Sequence, residues 1–280
     1  MTYDEVVNIW NTHEKTEDVF SGHFLAVLVT EVSSLEDINI SYNQTKELFA
    51  DERVNNYTGD LRDLFSVQNN KYLAEFYNRE LAKGTMITPE FIRESHRILM
   101  KGSIDRHRYH DNKERAGEYK KKDYSVGRYD AGVLPEDVPQ SIEELCQLLN
   151  EKKDSETIKL ATVFHCLFEN IHPFADGNGR TGRWLLNYLL VLRGHPPIII
   201  RKNKREEYYK CLEQFDLMES MNPMLEYLKR CTVDSYSSYA YMIGDDIQAK
   251  VDKIWESLPS AIKDNYTGDK AELLKQFKLL

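Results

Sequence analysis

Two strongly apolar helical stretches joined by a polar, glycine-rich loop constrain this chain more than any other feature. Upstream of the loop, Leu160, Val163, Phe164, Leu167 and Phe168 recur at helical spacing, and downstream Trp184, Leu185, Tyr188, Leu189 and Leu192 do the same. Both stripes demand burial, so the loop between them is forced to the edge of a core. It reads His172-Pro173-Phe174-Ala175-Asp176-Gly177-Asn178-Gly179-Arg180-Thr181-Gly182-Arg183. A His, an Asp and two Arg are costly to set against an apolar core unless they have work there. The stretch is therefore read as a site.

The rest of the chain follows the same period. Phe20, Phe24, Val27 and Leu28 mark a helix leading to the polar run Ser33-Ser34-Leu35-Glu36-Asp37, and Ser41 is an N-cap for Tyr42 to Phe49. A longer helix is predicted from Leu61 to Leu81, stopped by Gly84, and Thr88-Pro89 opens another that ends near Lys101-Gly102. The period lapses over Ser103 to Gly132, where Glu118 to Val126 suits a short hairpin. Helices resume at Pro139–Asn150, Glu156–Asn170, Gly179–Arg193 and Lys204–Phe215, with two more helical stretches beyond Asn222. The expected fold is all-α with one small β-hairpin.

Within the loop, Gly177, Asn178 and Gly179 let the backbone turn and aim its N–H groups into one concavity, which the start of the next helix also faces. That is an anion site suited to phosphates. Arg180 and Arg183 add charge-assisted bonds, Asp176 is a hard oxygen ligand suited to Mg²⁺, and His172 can accept a proton from an attacking hydroxyl. These parts describe phosphoryl or nucleotidyl transfer. The phosphate-binding pattern GxxxxGK[ST] is absent. Gly177, Gly179 and Gly182 spell GxGxxG, but no strand precedes them, so a dinucleotide fold is set aside.

The stretch resembles the Fic family motif HxFx[D/E]GNGRxxR at every specified position. The resemblance covers roughly Phe91 to Phe215 and implies a division into an N-terminal helical segment (1–85), a Fic core (86–220) and a C-terminal helical extension (221–280). It implies His172 as general base and Asp176 as the ligand of Mg²⁺ bridging the phosphates of ATP. The Gly177-Asn178-Gly179 amides and the Asn178 side chain would bind phosphates, and Thr181 and Gly182 fall in the same phosphate loop. Arg180 and Arg183 would reach the outer phosphates, and Phe174 anchors the loop in the core. It implies transfer of AMP to a Tyr, Thr or Ser hydroxyl of a protein, because the phosphate-transferring branch of the family departs from the Gly-Asn-Gly kept here. Arg115-Ala116-Gly117-Glu118-Tyr119 resembles the start of the target-aligning flap, so Gly117, Glu118 and Tyr119 are candidate target contacts. Tyr208 stands where relatives close over adenine, though Tyr209 could equally point inward.

The family's inhibitory pattern [S/T]xxxE[G/N] is resembled around Glu36, which would sit opposite Arg183. Val32 replaces the hydroxyl residue and Asp37 the Gly or Asn, so the resemblance implies partial rather than tight restraint. Two other readings keep the same site: a deAMPylase or bifunctional enzyme, and an ATP-sensing regulatory or toxin–antitoxin protein without turnover. The His110-Asp111 dipeptide raises a metal phosphohydrolase, but it sits in a polar segment without further ligands. His165 is read as structural, and His96 and His195 show no constellation.

A net charge of −9 disfavours nucleic acid as main partner, and the longest apolar runs are far too short to span a bilayer. The acidic start Met1-Thr2-Tyr3-Asp4-Glu5 is unlike a signal peptide, and the four scattered cysteines suit a reducing compartment. The expectation is a cytoplasmic protein with ATP, Mg²⁺ and a protein substrate as partners. A homodimer remains compatible with the sequence.

Overall fold

A computed structural model describes residues 1–15, 18–55, 57–124, 132–152, 156–218, 220–243, 254–263, 270 and 273–274 of the chain. The described residues are all-α. The main helices are α1 (Tyr3–Thr12), α2 (Gly22–Leu35), α3 (Tyr42–Asp51), α4 (Leu61–Lys83), α5 (Pro89–Leu99), α6 (Arg106–His110), α7 (Val138–Glu151), α8 (Thr157–Ile171), α9 (Asn178–Leu192), α10 (Arg205–Met218) and α11 (Asn222–Tyr239), with a further short turn of helix at Ser260–Lys263.

Local chemistry sets their ends. Ser41 and Gln44 form a capping box on α3, and the Thr88 hydroxyl accepts the Phe91 N–H at 3.2 Å with Pro89 in the first turn of α5. Gly84 closes α4 in the left-handed region at φ +68°. Two helices were not anticipated. In α1, Thr2 and Glu5 form a capping box that the apolar period does not reveal. In α6, Asp105 caps a single turn by accepting the Arg108 N–H at 3.0 Å.

The hairpin expected at Glu118 to Val126 is corrected: residues 118–124 form no strand, and the last two lie outside the described residues. The main chain on both sides bonds to the loop instead of to itself. The Lys120 N–H donates to the Pro173 carbonyl at 2.9 Å and the Val133 N–H to the Ile171 carbonyl at 3.2 Å. Beyond residue 243, little of the second expected C-terminal helical stretch is described.

One continuous apolar core runs from Val6 to Met242. Its centre is the α8–α9 pair, with α7 on α8 and α4 and α5 against α9, while α2 reaches both α4 and α9. The Trp184 indole N–H donates to Asn70 Oδ1 at 2.6 Å, tying α9 to α4 in the interior. Packing thus presses the C-terminus of α8 and the N-terminus of α9 together and leaves residues 172–177 at their junction. All four cysteines are buried and free. No helix among the described residues is long and apolar enough to cross a membrane.

Candidate active site

The loop is built by interactions that fix its backbone. His172 ends α8 in the left-handed region (φ 52°, ψ 61°), which reverses the chain. Phe174 follows, fully buried, with its ring stacked on His96 at a centroid distance of 3.7 Å. Asn178 then clamps the loop: its Oδ1 accepts the Phe174 N–H and its Nδ2 donates to the Phe174 carbonyl, both at 2.8 Å. The Asn178 amide is committed to this clamp, so its main-chain N–H is what it can offer an anion. Gly177, at φ +74°, lies so close to Met100 that a Cβ would meet its Sδ at 2.5 Å. The Thr181 hydroxyl donates to the Gly177 carbonyl at 2.8 Å, inside the first turn of α9.

Charged groups meet at this helix N-terminus. Arg183 is 2% exposed and is hydrogen-bonded and ion-paired to Glu36, the residue that ends α2. A Cβ on Gly179 would lie 2.9 Å from Arg183 Nη1 and 3.3 Å from Glu36 Oε1. The Glu36 carboxylate therefore already sits where the amides and dipole of α9 favour negative charge. Burial alone would raise this carboxyl, but Arg183, then Arg180 and Arg205, hold it below its ordinary value. Asp37, in the left-handed region at φ 59°, pairs with Arg205 at 2.7 Å. Val32 is buried in the core, and the neighbouring Ser33 hydroxyl is buried without a partner.

Arg180 donates to the Ser66 hydroxyl at 2.8 Å and reaches Asp176 Oδ1 at 3.5 Å. That same oxygen accepts the Gly177 N–H at 2.7 Å, while Oδ2 faces Arg108 Nη1 at 3.1 Å. Burial, then the charge of Lys120, pushes the His172 imidazole down to about 4, so the ring is neutral near pH 7. Lys120 is 2% exposed and its ammonium has no hydrogen-bond partner among the described residues; a Cβ on Gly132 would lie within 3 Å of both Lys120 Nζ and His172 Cβ.

Sequence reasoning missed four residues here: His96, Arg108, Lys120 and Glu169. His96 is 2% exposed, its Nδ1 accepts the Gly117 N–H at 2.8 Å, and its Nε2 donates to the Asp176 carbonyl at 2.9 Å. It bolts the root of the 117–119 segment to the loop. Burial drives this ring to about 3, so it stays neutral with its proton on Nε2. Glu169 is buried against the Gly182 backbone, where a Cβ would meet Oε1 at 2.2 Å, and burial raises its carboxyl to about 7. One signal was legible: Glu169 is an ionisable residue beside the apolar stripe of α8. Nothing in the spacing marks His96 or Arg108.

Of the segment expected to contact a target, Gly117 is buried at φ +82°, Glu118 is exposed and Tyr119 is half-buried with Arg93 5.6 Å above its ring. The Gly117 carbonyl accepts from Arg93 Nε at 2.8 Å. Tyr208 is fully buried and its hydroxyl bonds His165 Nε2 at 2.9 Å. Tyr209 is 42% exposed and lies beside Arg205. His107 pairs with Asp111 at 2.6 Å on the surface, and among the described residues no three His, Cys, Asp or Glu side chains gather to hold a metal.

Residues 86–190 match the Fic/DOC family. The protein adenylyltransferase Fic of Nematostella vectensis is 32% identical over 174 residues, 57% of this chain and 39% of that protein. Its Drosophila melanogaster counterpart is 30% identical over 173 residues, 61% of this chain and 33% of that protein. The chain thus spans between a third and two fifths of the length of these relatives. Among solved structures, a Fic domain containing signaling protein from Bacteroides thetaiotaomicron superposes with a TM-score of 0.75 at 24% identity, covering 88% of this chain and 98% of that one. Fic-1 from C. elegans gives 0.72 at 24% identity over 85% and 69%. These two likenesses speak for the fold.

Proposed function

We propose, from the match of residues 86–190 to the Fic/DOC family, that the protein is a protein adenylyltransferase moving AMP from ATP to a Tyr, Thr or Ser hydroxyl. One observation carries the reading: a neutral imidazole, a carboxylate and two buried arginines converge on the N-terminus of α9.

Under this reading His172 takes the proton of the target hydroxyl. The hydroxyl oxygen forms its bond to the α-phosphorus, the bond from that phosphorus to the bridging oxygen breaks, and pyrophosphate leaves. Asn178 and Gly179 cradle the phosphates through their main-chain N–H groups at the first turn of α9, since the Gly177 and Thr181 N–H groups already donate to Asp176 Oδ1 and to the Gly177 carbonyl. Thr181 and Gly182 shape that turn, and Arg180 and Arg183 bind the outer oxygens. Asp176 fits a divalent cation, because the Gly177 N–H holds Oδ1 and leaves Oδ2 to a solvent-reachable side of a carboxylate that is 29% exposed. Mg²⁺ held there would neutralise polyphosphate charge. The adenine contact passes from Tyr208 to Tyr209, which is exposed beside Arg205. Gly117, Glu118 and Tyr119 would align the target polypeptide, and self-modification is included. Glu36 restrains the reaction by holding Arg183 and the anion position, which supports an N-terminal brake packed onto the catalytic core.

Incorporation of label from α-³²P ATP into protein tests this with wild type, His172→Ala and Glu36→Gly. His172→Ala should lose roughly 10²- to 10⁴-fold, and Glu36→Gly should exceed wild type. Label that is unaffected by His172→Ala would remove His172 as base. A Glu36 variant no faster than wild type would remove the brake.

A further inference from the structure

The Arg108–Asp176 pair has no place in the scheme above. Asp176 has two carboxylate oxygens, and one is used up: Oδ1 accepts the Gly177 N–H at 2.7 Å and has Arg180 at 3.5 Å. Oδ2 is the oxygen left to receive a cation, and Arg108 Nη1 sits on it at 3.1 Å. Arg108 comes from α6, a single turn that the rest of the site does not require. Its guanidinium has a second carboxylate in reach, Asp105 Oδ2 at 3.4 Å from Nε, and the Tyr124 ring at 5.4 Å.

We propose that Arg108 is a displaceable guanidinium cap on Asp176, which holds the outward carboxylate oxygen while nucleotide is absent and is exchanged for the divalent cation when the site loads. A hard cation needs that oxygen at about 2 Å. A guanidinium cannot share it at hydrogen-bond distance without placing like charges in contact. Exchange has a low cost because Arg108 is 34% exposed, so water screens the pair it leaves. The released arm keeps Asp105 as partner. While seated, Arg108 neutralises Asp176 and lets anionic nucleotide approach without metal; once removed, the bare carboxylate repels metal-free nucleotide and attracts the cation more strongly. Arg108 therefore narrows the difference between metal-free and metal-bound nucleotide affinity.

The inference rests on the reading of Asp176 as metal ligand, and the experiment separates the two. Binding of a non-hydrolysable ATP analogue to the full chain is measured by calorimetry with Mg²⁺ and with EDTA, for wild type, Arg108→Gln, Arg108→Lys and Asp176→Asn. If Asp176→Asn keeps the full gain from Mg²⁺, the metal reading of Asp176 is wrong and the cap falls with it. If Asp176→Asn loses that gain, the cap is judged by Arg108→Gln. The ratio of Mg²⁺-bound to metal-free affinity should then rise about fivefold, as expected for a partly exposed pair. The half-saturating Mg²⁺ concentration should fall in step, with Arg108→Lys in between. A ratio that stays put or shrinks overturns the proposal. Should Arg108→Gln unfold, Arg108→Lys decides alone, with a rise of about twofold supporting the cap and no rise refuting it.

Discussion

The Glu36–Arg183 and Arg108–Asp176 pairs put the same chemistry at two ends of one helix N-terminus, yet their surroundings make them different devices. Arg183 is 2% exposed and its partner arrives from α2, a helix 147 residues away in the chain. Arg108 and Asp176 are each about a third exposed and belong to a single helical turn and to the loop before α9. A buried cation that loses its partner keeps its desolvation cost, whereas a wet one recovers hydration. The first pair is thus suited to hold a state and the second to exchange.

The largest expected effect tests that contrast directly. Glu36→Gln should lower unfolding stability by about 2 kcal/mol, because it leaves the Arg183 cation buried with a weaker partner. Asp176→Asn should change it by less than about 1 kcal/mol. Urea unfolding of both variants measures this, and equal losses would erase the distinction between the two ends. A nucleotide bearing a γ-phosphate should restore more stability to Glu36→Gln than to wild type, because it supplies the anion that Arg183 lacks.

The contrast also separates what was legible in the sequence from what was not. His172, Asp176, Arg180 and Arg183 lie within twelve residues, so spacing alone brought them together. Glu36 and Arg183 are joined only by tertiary packing, and a family resemblance was needed to set them opposite each other. Arg108 and His96 had no such pointer, because their partners are main-chain and carboxylate groups of the loop rather than neighbours in the chain. The helices α2 to α5 and α7 to α11 were readable from caps and apolar period. α1 is as long as α3 and buries Val6 and Trp10 four apart, so its period was present but overlooked, whereas α6 is a single turn, too short to display one. The hairpin expectation did not hold over residues 118–124 for a related reason: β-forming residues describe local preference, and here the Pro173 carbonyl captured the Lys120 N–H.

A smaller effect should appear in the pH dependence of stability, on the buried side alone. Glu169 stands near Arg183 with its carboxyl raised to about 7, first by burial and then by the charge of Glu36, with Arg183 opposing. A raised carboxyl is neutral in the folded protein, so its contribution is complete below the ordinary value near 4.5. It is lost as pH rises toward about 7. Glu36 runs the other way. Its carboxyl is depressed, so its contribution is complete above the ordinary value and is lost as pH falls through the lower folded one. Glu169→Gln should flatten a downward slope of stability with pH between about pH 5 and 7. Urea midpoints across that range measure it, and an unchanged slope would mean that Glu169 titrates as a solvated carboxyl.

The smallest effect concerns Asp37, where the sequence departs from the inhibitory pattern. The resemblance implies that the departures at Val32 and Asp37 leave the restraint partial, and in the left-handed region an Asp, though better tolerated than most residues, is strained relative to Gly by up to about 1 kcal/mol. The structure adds a compensation: Asp37, at φ 59°, pairs with Arg205 at 2.7 Å, which ties the end of α2 to α10. That pair is exposed and contributes up to about 1 kcal/mol. Asp37→Gly relieves the strain and removes the tether together, so stability should move by less than about 0.5 kcal/mol and basal labelling by less than about threefold. Asp37→Ala removes the tether and keeps the strain, so it should destabilise by up to about 1 kcal/mol and raise basal labelling. If Asp37→Gly instead cut basal labelling tenfold, strain at this residue would govern the brake and the Arg205 pair would count for little. Glu36 would then be held less firmly than the burial of Arg183 implies, and the two ends of the site would differ less than their exposure suggests.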